Sequence, residues 1–330
     1  MSQQLKDKFF EAKRIIEESE YILLAGHMNP DGDSLGSVLG LRQAIEENLG
    51  KSTAPYLAGD PLPESLNFLP GCELLRDSIP QQPDLIIGFD YGDFVRLGIP
   101  EDVVEGTKII TFDHHPESAQ KGDVKIIETD FSSTTEIVYS FLLSAGWHIS
   151  QKTALCLLTG ILTDTGFFAH NTSARTLKVA GELLDKGASL HMVHSKTFAG
   201  KSSDVLNVWG SLLQKMQSDS KYNFSYALVS FDEFTKYGIV LDDLTGLISI
   251  MNNAHETGFS VLAVEYERGK IKGSLRSDKF KDIDVSRIAQ KLGGGGHKYA
   301  AGFNLECSLE DARKKIYSAV EEVLIKSQNK

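Results

Sequence analysis

Residues 21–34 read Tyr-Ile-Leu-Leu-Ala-Gly-His-Met-Asn-Pro-Asp-Gly-Asp-Ser. The first six are a short apolar run, the pattern of a buried strand, and it stops at a histidine followed by a proline and two aspartates. Next comes a helical pattern over Ser34–Leu49, closed by Gly50. Two more apolar runs, Leu85–Phe89 and Lys108–Phe112, also end in acidic or histidine residues. Helical spacing is legible over residues 4–19, Thr134–Ala145, Lys152–Leu162 and Ala174–Lys186. Apolar runs alternating with amphipathic helices predict βα units and a mainly parallel sheet. Ligands of such sheets sit beyond the carboxyl ends of the strands.

The chain has 330 residues, 34 Lys+Arg and 45 Asp+Glu, for a net charge of −11. That length suits two domains. The expected layout is an α/β domain over residues 1–187, a helical linker over 188–220, and a smaller mixed α/β domain over 221–330. In the last part, strand-like runs are Phe224–Phe231, Phe259–Glu267 and Lys270–Arg276. Helices are expected near Asp242–Asn252, at Val285–Leu292 and at Leu309–Ile325. Nothing approaches 18 consecutive apolar residues, so no membrane-spanning helix is expected. No secretory leader is legible at the start, and the three cysteines form no CxxC pair, which suits a reducing cytoplasm. Affinity for a long duplex rests on clustered Lys and Arg, and the net charge disfavours it.

Four clusters carry the chemistry. His27, Asp31 and Asp33 follow the first strand, Asp90 and Asp93 the second long run, and Asp113-His114-His115 the third. Asp164 sits in Gly160-Ile-Leu-Thr-Asp-Thr-Gly166, read as a small-residue turn. A lone Asp-Gly-Asp is usually a turn, and His-His pairs commonly pack on a surface or in a core. Clusters after three successive strands would instead converge on one sheet edge. Carboxylates crowded there repel unless a cation neutralises them. Mixed carboxylate and imidazole donors suit Mn²⁺, Zn²⁺ or Fe²⁺ better than Ca²⁺. Four aspartates and two histidines are enough for two ions bridged by one carboxylate, the arrangement used for phosphoryl transfer. An EF-hand is excluded by the tight Asp31-Gly32-Asp33 spacing, and a zincin by the lack of HExxH.

The ordered set GHMNPDGDSLGS, FDYGD…R, DHH and GILTDTG resembles the motifs of the DHH phosphoesterase superfamily. SSTTEIVY (132–139) fits the segment after the DHH triplet. Gly273-Ser-Leu-Arg-Ser277 with GGGGHKYAAGF (293–303) is similar to the DHH-associated substrate-binding domain. The resemblance implies that His27, Asp31 and Asp90 hold one metal ion. It implies that Asp33, Asp90, His114 and Asp164 hold a second, with Asp90 bridging and Mn²⁺ the expected metal. His115 would then lie over the substrate phosphate, with Asp113 orienting the histidines. One departure is the loop HHPESAQKG, where many relatives carry an asparagine.

Gly293–Gly296 fails as a dinucleotide fingerprint, since the register from Gly293 ends on Lys298. A flexible linker is the plain alternative. The functional reading is an anion site of bare backbone N–H groups. The resemblance implies that Arg276, Gly294, Gly295, Gly296 and His297 bind substrate phosphate, with Lys298 a weaker candidate. His191 and His194 are expected in ordinary packing or surface roles, and His148, His170 and His255 lack partner spacing. Tyr222, Phe224 and Tyr226 are expected to pack, as is Cys156. The implied activity is hydrolysis, by metal-activated water, of RNA fragments of two to five nucleotides and of 3′-phosphoadenosine 5′-phosphate (pAp). A homodimer is the candidate assembly. Cyclic di-AMP or pApA hydrolysis is the alternative within the class, and a non-catalytic nucleotide sensor the alternative outside it.

Overall fold

Ile22–Gly26 is buried at every position, because the sheet it joins is covered on both faces. The structure, a computed structural model, describes residues 2–59, 62–116, 119–197, 202–244, 246–254, 256–278 and 280–328, with residues 242 and 325–328 in backbone only. His255 lies outside them. The chain divides into two units, residues 1–200 and 201–330.

The first unit runs α1 (Gln3–Glu18), β1 (Ile22–Gly26), α2 (Gly32–Leu49), β2 (Thr53–Leu57), β3 (Leu85–Phe89) and α3 (Glu101–Val104). It continues with β4 (Lys108–Asp113), β5 (Val124–Ile127), α4 (Thr134–Ala145), α5 (Gln151–Asp164), α6 (Ala174–Asp185) and α7 (Leu190–Thr197). Its five strands pair in the order β2-β1-β3-β4-β5, all parallel. Ile22 and Leu24 face a core built with α1, α4 and α5, whereas Leu23 and Ala25 face a second core with Ala54, Tyr56, Tyr91 and Phe94. The parallel sheet is thus as expected. Two strands were not legible: β2 contains Pro55, which the edge of a sheet tolerates, and β5 is a four-residue edge. Asp164 is the last residue of α5 rather than part of a turn, because the helix runs two residues beyond its apolar spacing.

The second unit comprises α8 (Ser203–Gln214), β6 (Gln217–Asp219), β7 (Phe224–Val229), α9 (Phe231–Tyr237), α10 (Leu247–Met251) and β8 (Phe259–Glu267). It ends with β9 (Lys270–Arg276), α11 (Val285–Lys291), β10 (Gly295–His297), β11 (Ala300–Glu306) and α12 (Leu309–Gln328). The six-stranded sheet has the order β10-β11-β9-β8-β7-β6, antiparallel except for β7 and β8. Phe224, Phe259 and Val261 face one core with α11 and α12. Ala227, Val229 and Leu262 face another with α8 and α10. Residues 188–220 include α7, which enters the first unit's core through Val193, and α8, which enters the second through Val208 and Trp209. Residues 198–201 lie outside the described residues.

Candidate metal centre

The strand order reverses at β1, which has β2 on one side and β3 on the other, and a crevice opens beyond the strand ends at such a point. His27 is the first residue after β1, Asp90 the first after β3, and Asp113 the last of β4. The turns that follow place the remaining groups. Asp31 caps α2, its Oδ1 accepting the N–H groups of Asp33 and Ser34 at 3.0 Å each. His27 Nε2 then stands 3.7 Å from Asp31 Oδ2 and 3.7 Å from Asp90 Oδ2. His114 Nε2 is 3.5 Å from Asp90 Oδ1, 3.7 Å from Asp164 Oδ2 and 3.9 Å from Asp33 Oδ2. Donor atoms of His27, Asp31 and Asp90 lie within 4.8 Å of one another, as do those of Asp33, Asp90 and His114. The two sets share Asp90.

These donors suit a pair of divalent ions. The Nδ1 of His27 donates to the Met28 carbonyl at 2.8 Å, which leaves Nε2, the nitrogen turned to the carboxylates, as the one that binds a metal once its proton is lost. Imidazole nitrogens and carboxylates facing each other across 3.5–3.9 Å leave room for a cation between them in place of a proton. The charge balance points the same way. Burial works to lower the pKa of His27, but Asp31 and Asp90 outweigh it and bring the imidazole up to about 10. Burial, then repulsion from Asp90 and Asp164, pushes Asp33 well above the usual carboxylate range. Burial would raise Asp90 too, but His115 and His27 pull it well below that range. Protons are thus held where metal charge would serve. Asp90 has a φ of 56°, a left-handed conformation that aspartate adopts more readily than most residues and that persists where the surroundings enforce it. Its N–H donates to the Phe112 carbonyl at 3.0 Å.

Asp113 organises the other side. Its Oδ1 accepts the His115 N–H at 2.9 Å and pairs with His115 Nδ1 at 2.8 Å; its Oδ2 accepts the Gly92 N–H at 2.8 Å. His115 remains 25% exposed, the most open of the site's imidazoles. Burial works against its charge, but Asp113 and Asp90 raise it to about 11. The loop that departs from the resemblance still contributes an amide, since Gln120 Nε2 donates to Asp113 Oδ2 at 3.3 Å.

Sequence reading missed the group that fixes Asp33. Thr134 N–H donates to its Oδ2 at 2.7 Å, and Thr135 N–H and Oγ1 to its Oδ1 at 2.9 and 2.6 Å. Thr134 Oγ1 donates to Asp90 Oδ1 at 3.1 Å. Two expected metal ligands are therefore tied to the first turn of α4. The available signal was the Ser133-x-x-Glu136 capping pattern, with Ser133 Oγ accepting the Glu136 N–H. Glu136, fully buried, accepts from Ser132 and Arg175 and links α4 to the start of α6. α2 and α5 approach closely. A Cβ on Gly36 would lie 2.5 Å from the Cys156 carbonyl oxygen, and one on Gly160 would lie 2.4 Å from Thr135 Oγ1 and 2.7 Å from Asp33 Oδ1. His148, His170, His191 and His194 take no part in these groups; the His194 ring packs edge-on against Phe167.

In the second unit, Arg276 ends β9 opposite Ala300. The glycine run is not a free loop. Gly293 and Gly294 donate their N–H groups to the Gln290 and Ala289 carbonyls and close α11, while Gly295–His297 forms the outer strand β10. Lys298 Nζ pairs with Asp282 at 2.6 Å. Tyr222, Phe224 and Tyr226 pack around Tyr317, and Cys156 is buried.

Residues 21–161 match the family described as DHH family, N-terminal domain, and residues 223–326 match the DHHA1 domain. A Thermus thermophilus protein named bifunctional oligoribonuclease and PAP phosphatase NrnA is 32% identical over 332 residues, covering 97% of this chain and 97% of its own. An exopolyphosphatase-related protein from Bacteroides fragilis has a similar structure, with a TM-score of 0.86 at 27% identity over 96% of each chain. RecJ from Thermus thermophilus, crystallised with Mn²⁺, shares the fold with a TM-score of 0.59 at 15% identity, over 98% of this chain and 55% of that one. Among the described residues, no helix is long and apolar enough to cross a membrane.

Proposed function

Because this chain belongs to the DHH family and carries a DHHA1 domain behind its DHH domain, we propose that it is a metal-dependent phosphoesterase. It hydrolyses short oligoribonucleotides to mononucleotides and pAp to AMP. The single observation that carries this reading is the gathering of His27, Asp31, Asp33, His114 and Asp164 around one buried, left-handed Asp90. The substrates follow the name of the Thermus relative.

His27, Asp31 and Asp90 would hold one divalent ion, and Asp33, Asp90, His114 and Asp164 would hold the other; the imidazole donors would favour Mn²⁺ over Mg²⁺ or Ca²⁺. Bound there, the ions supply Lewis acidity to the phosphoryl group and to water. The chain's own residues do the rest. Asp113 fixes the His115 ring through Nδ1, which assigns Nε2 to the phosphoryl or leaving oxygen. In the metal-free protein Asp113 and Asp90 outweigh burial and hold His115 in its protonated form, the form able to donate to a phosphoryl oxygen. Arg276 binds a substrate phosphate through its guanidinium fork, and Gly295, Gly296 and His297, one strand away across Ala300, offer the further backbone contact. The N–H of Gly294 is engaged with Ala289 and contributes turn geometry instead.

The test is purified protein with Mn²⁺, incubated in parallel with pAp, pApA, cyclic di-AMP and a pentaribonucleotide. Turnover of pAp and the pentamer ahead of cyclic di-AMP is expected. Comparable kcat/KM for cyclic di-AMP would move the assignment to cyclic dinucleotides, and turnover of none would leave a nucleotide sensor. Asp90→Ala removes the shared ligand and should abolish turnover; full activity in that variant would refute the two-ion arrangement.

A further inference from the structure

The loop joining β9 to α11 holds an aromatic ring out in water. Phe280 is 100% exposed. One exposed apolar side chain is ordinary on any protein surface; the construction beneath this one is what sets it apart. Asp278 Oδ1 accepts the N–H groups of Phe280 and Lys281 at 2.9 and 3.0 Å. Lys281 Nζ reaches back to the carbonyls of Asn252 and Ala254 at 2.5 and 3.1 Å. Asp282, left-handed with a φ of 52°, receives Lys298 Nζ at 2.6 Å and the Tyr299 hydroxyl at 3.3 Å. Asp278, Lys281 and Asp282 and the N–H of Phe280 are therefore pinned while its ring is not packed.

The loop also runs along the rim that carries the expected phosphate ligands. Ser277 N–H donates to the Tyr299 carbonyl at 3.0 Å where the loop begins, and Val285 N–H to the Lys298 carbonyl at 2.8 Å where it ends. Arg276 precedes the first of these bonds, and His297 lies beside Lys298 and Tyr299 on the turn it borders. A nucleotide offers an anion joined to a planar ring. A guanidinium with an exposed backbone edge meets the anion, and an exposed phenyl ring meets the base by stacking, without regard to its identity.

We propose that Phe280 is the stacking platform for the base of the nucleotide whose phosphate lies on Arg276 and Gly295–His297. This rests on the phosphoesterase reading above and adds how nucleotides are told from other phosphoesters. Phe280→Ala should raise KM for a trinucleotide RNA by roughly five- to 160-fold, the range that stacking on one base provides, with kcat changed less than twofold. Its KM for the same trimer lacking all bases should match that of the wild type. Phe280→Trp should restore the RNA KM, and AMP should quench the added indole fluorescence relative to wild type. An unchanged RNA KM in Phe280→Ala, or an equal loss on the abasic trimer, would overturn the platform. If the wild type turns over none of these substrates, the hydrolase reading fails on its own. The fluorescence of Phe280→Trp then decides the stacking, and no quenching by saturating AMP would overturn it.

Discussion

Gly36→Ala adds one methyl group at the closest approach of α2 and α5. The new Cβ would stand 2.5 Å from the Cys156 carbonyl oxygen, 3.2 Å from Thr135 Cγ2 and 3.3 Å from the Gly160 nitrogen. Two of these neighbours are backbone, so no side-chain rotation relieves them. Ordinary contact distances require the helices to part by roughly 0.7–1 Å. Overpacking of this kind costs about 1–3 kcal/mol, and about 2–4 °C in Tm is lost per kcal/mol in a domain of this size. The candidate metal centre straddles the same seam. Asp31 and Asp33 sit at the start of α2, Asp164 at the end of α5, and Thr135 at the start of α4. A displacement of ~1 Å should therefore lower kcat/KM by about two orders of magnitude. Gly181 provides the matched control. It is exposed within α6 and a Cβ there would meet nothing within 4 Å, so Gly181→Ala should stabilise by about 0.5–1 kcal/mol. Thermal unfolding followed by circular dichroism reads the stability changes, Mn²⁺ titration calorimetry the site, and steady-state kinetics on pAp the loss in kcat/KM. If Gly36→Ala melts with the wild type and binds Mn²⁺ equally well, the close helix approach does not set the site.

Thr135→Val deletes the hydroxyl that donates to Asp33 at 2.6 Å while keeping the side-chain shape. Mn²⁺ affinity by electron paramagnetic resonance should fall by about 10- to 100-fold and return in Thr135→Ser; equal affinity in all three proteins would remove Thr135 from the positioning of Asp33. The metal-free protein should lose stability as pH rises. His27 is raised from 6.5 to about 10, so its contribution is fully present below pH 6.5 and is lost as pH climbs towards 10. Mn²⁺ binding should show the reverse trend, strengthening with pH because the imidazoles must shed protons to bind. Melting temperatures of chelator-treated protein from pH 6 to 10 test the first part. Calorimetry in buffers of different ionisation enthalpy tests the second, and an absence of proton release would contradict it.

What could be read in advance follows from where each signal resides. β1, β3 and β4 are covered on both faces, so their apolar runs are continuous and stood out, as did the Asp and His residues that follow them. β2 and β5 are edges, one interrupted by Pro55 and the other four residues long, and carry little periodic signal. The glycine run hid β10, because a strand of Gly-Gly-His has no side-chain alternation to detect. The bonds from Thr134 and Thr135 to Asp33 span 101 and 102 residues, beyond any local pattern. Phe280 was silent for a different reason, since only the fold reveals that a phenylalanine stays in water.

Both outer strands of the second unit's sheet, β6 and β10, are three residues long. An open strand edge is a template on which another chain can add itself, and brevity is one of the ways proteins suppress this. β10 keeps that protection while forming the outermost strand, with β11 between it and the strand that ends in Arg276. For the phosphate-binding role proposed above, that length is a compromise: enough edge backbone to meet one phosphate, too little to seed a fibril. Lengthening this strand would bring a risk of self-association before it brought tighter substrate binding.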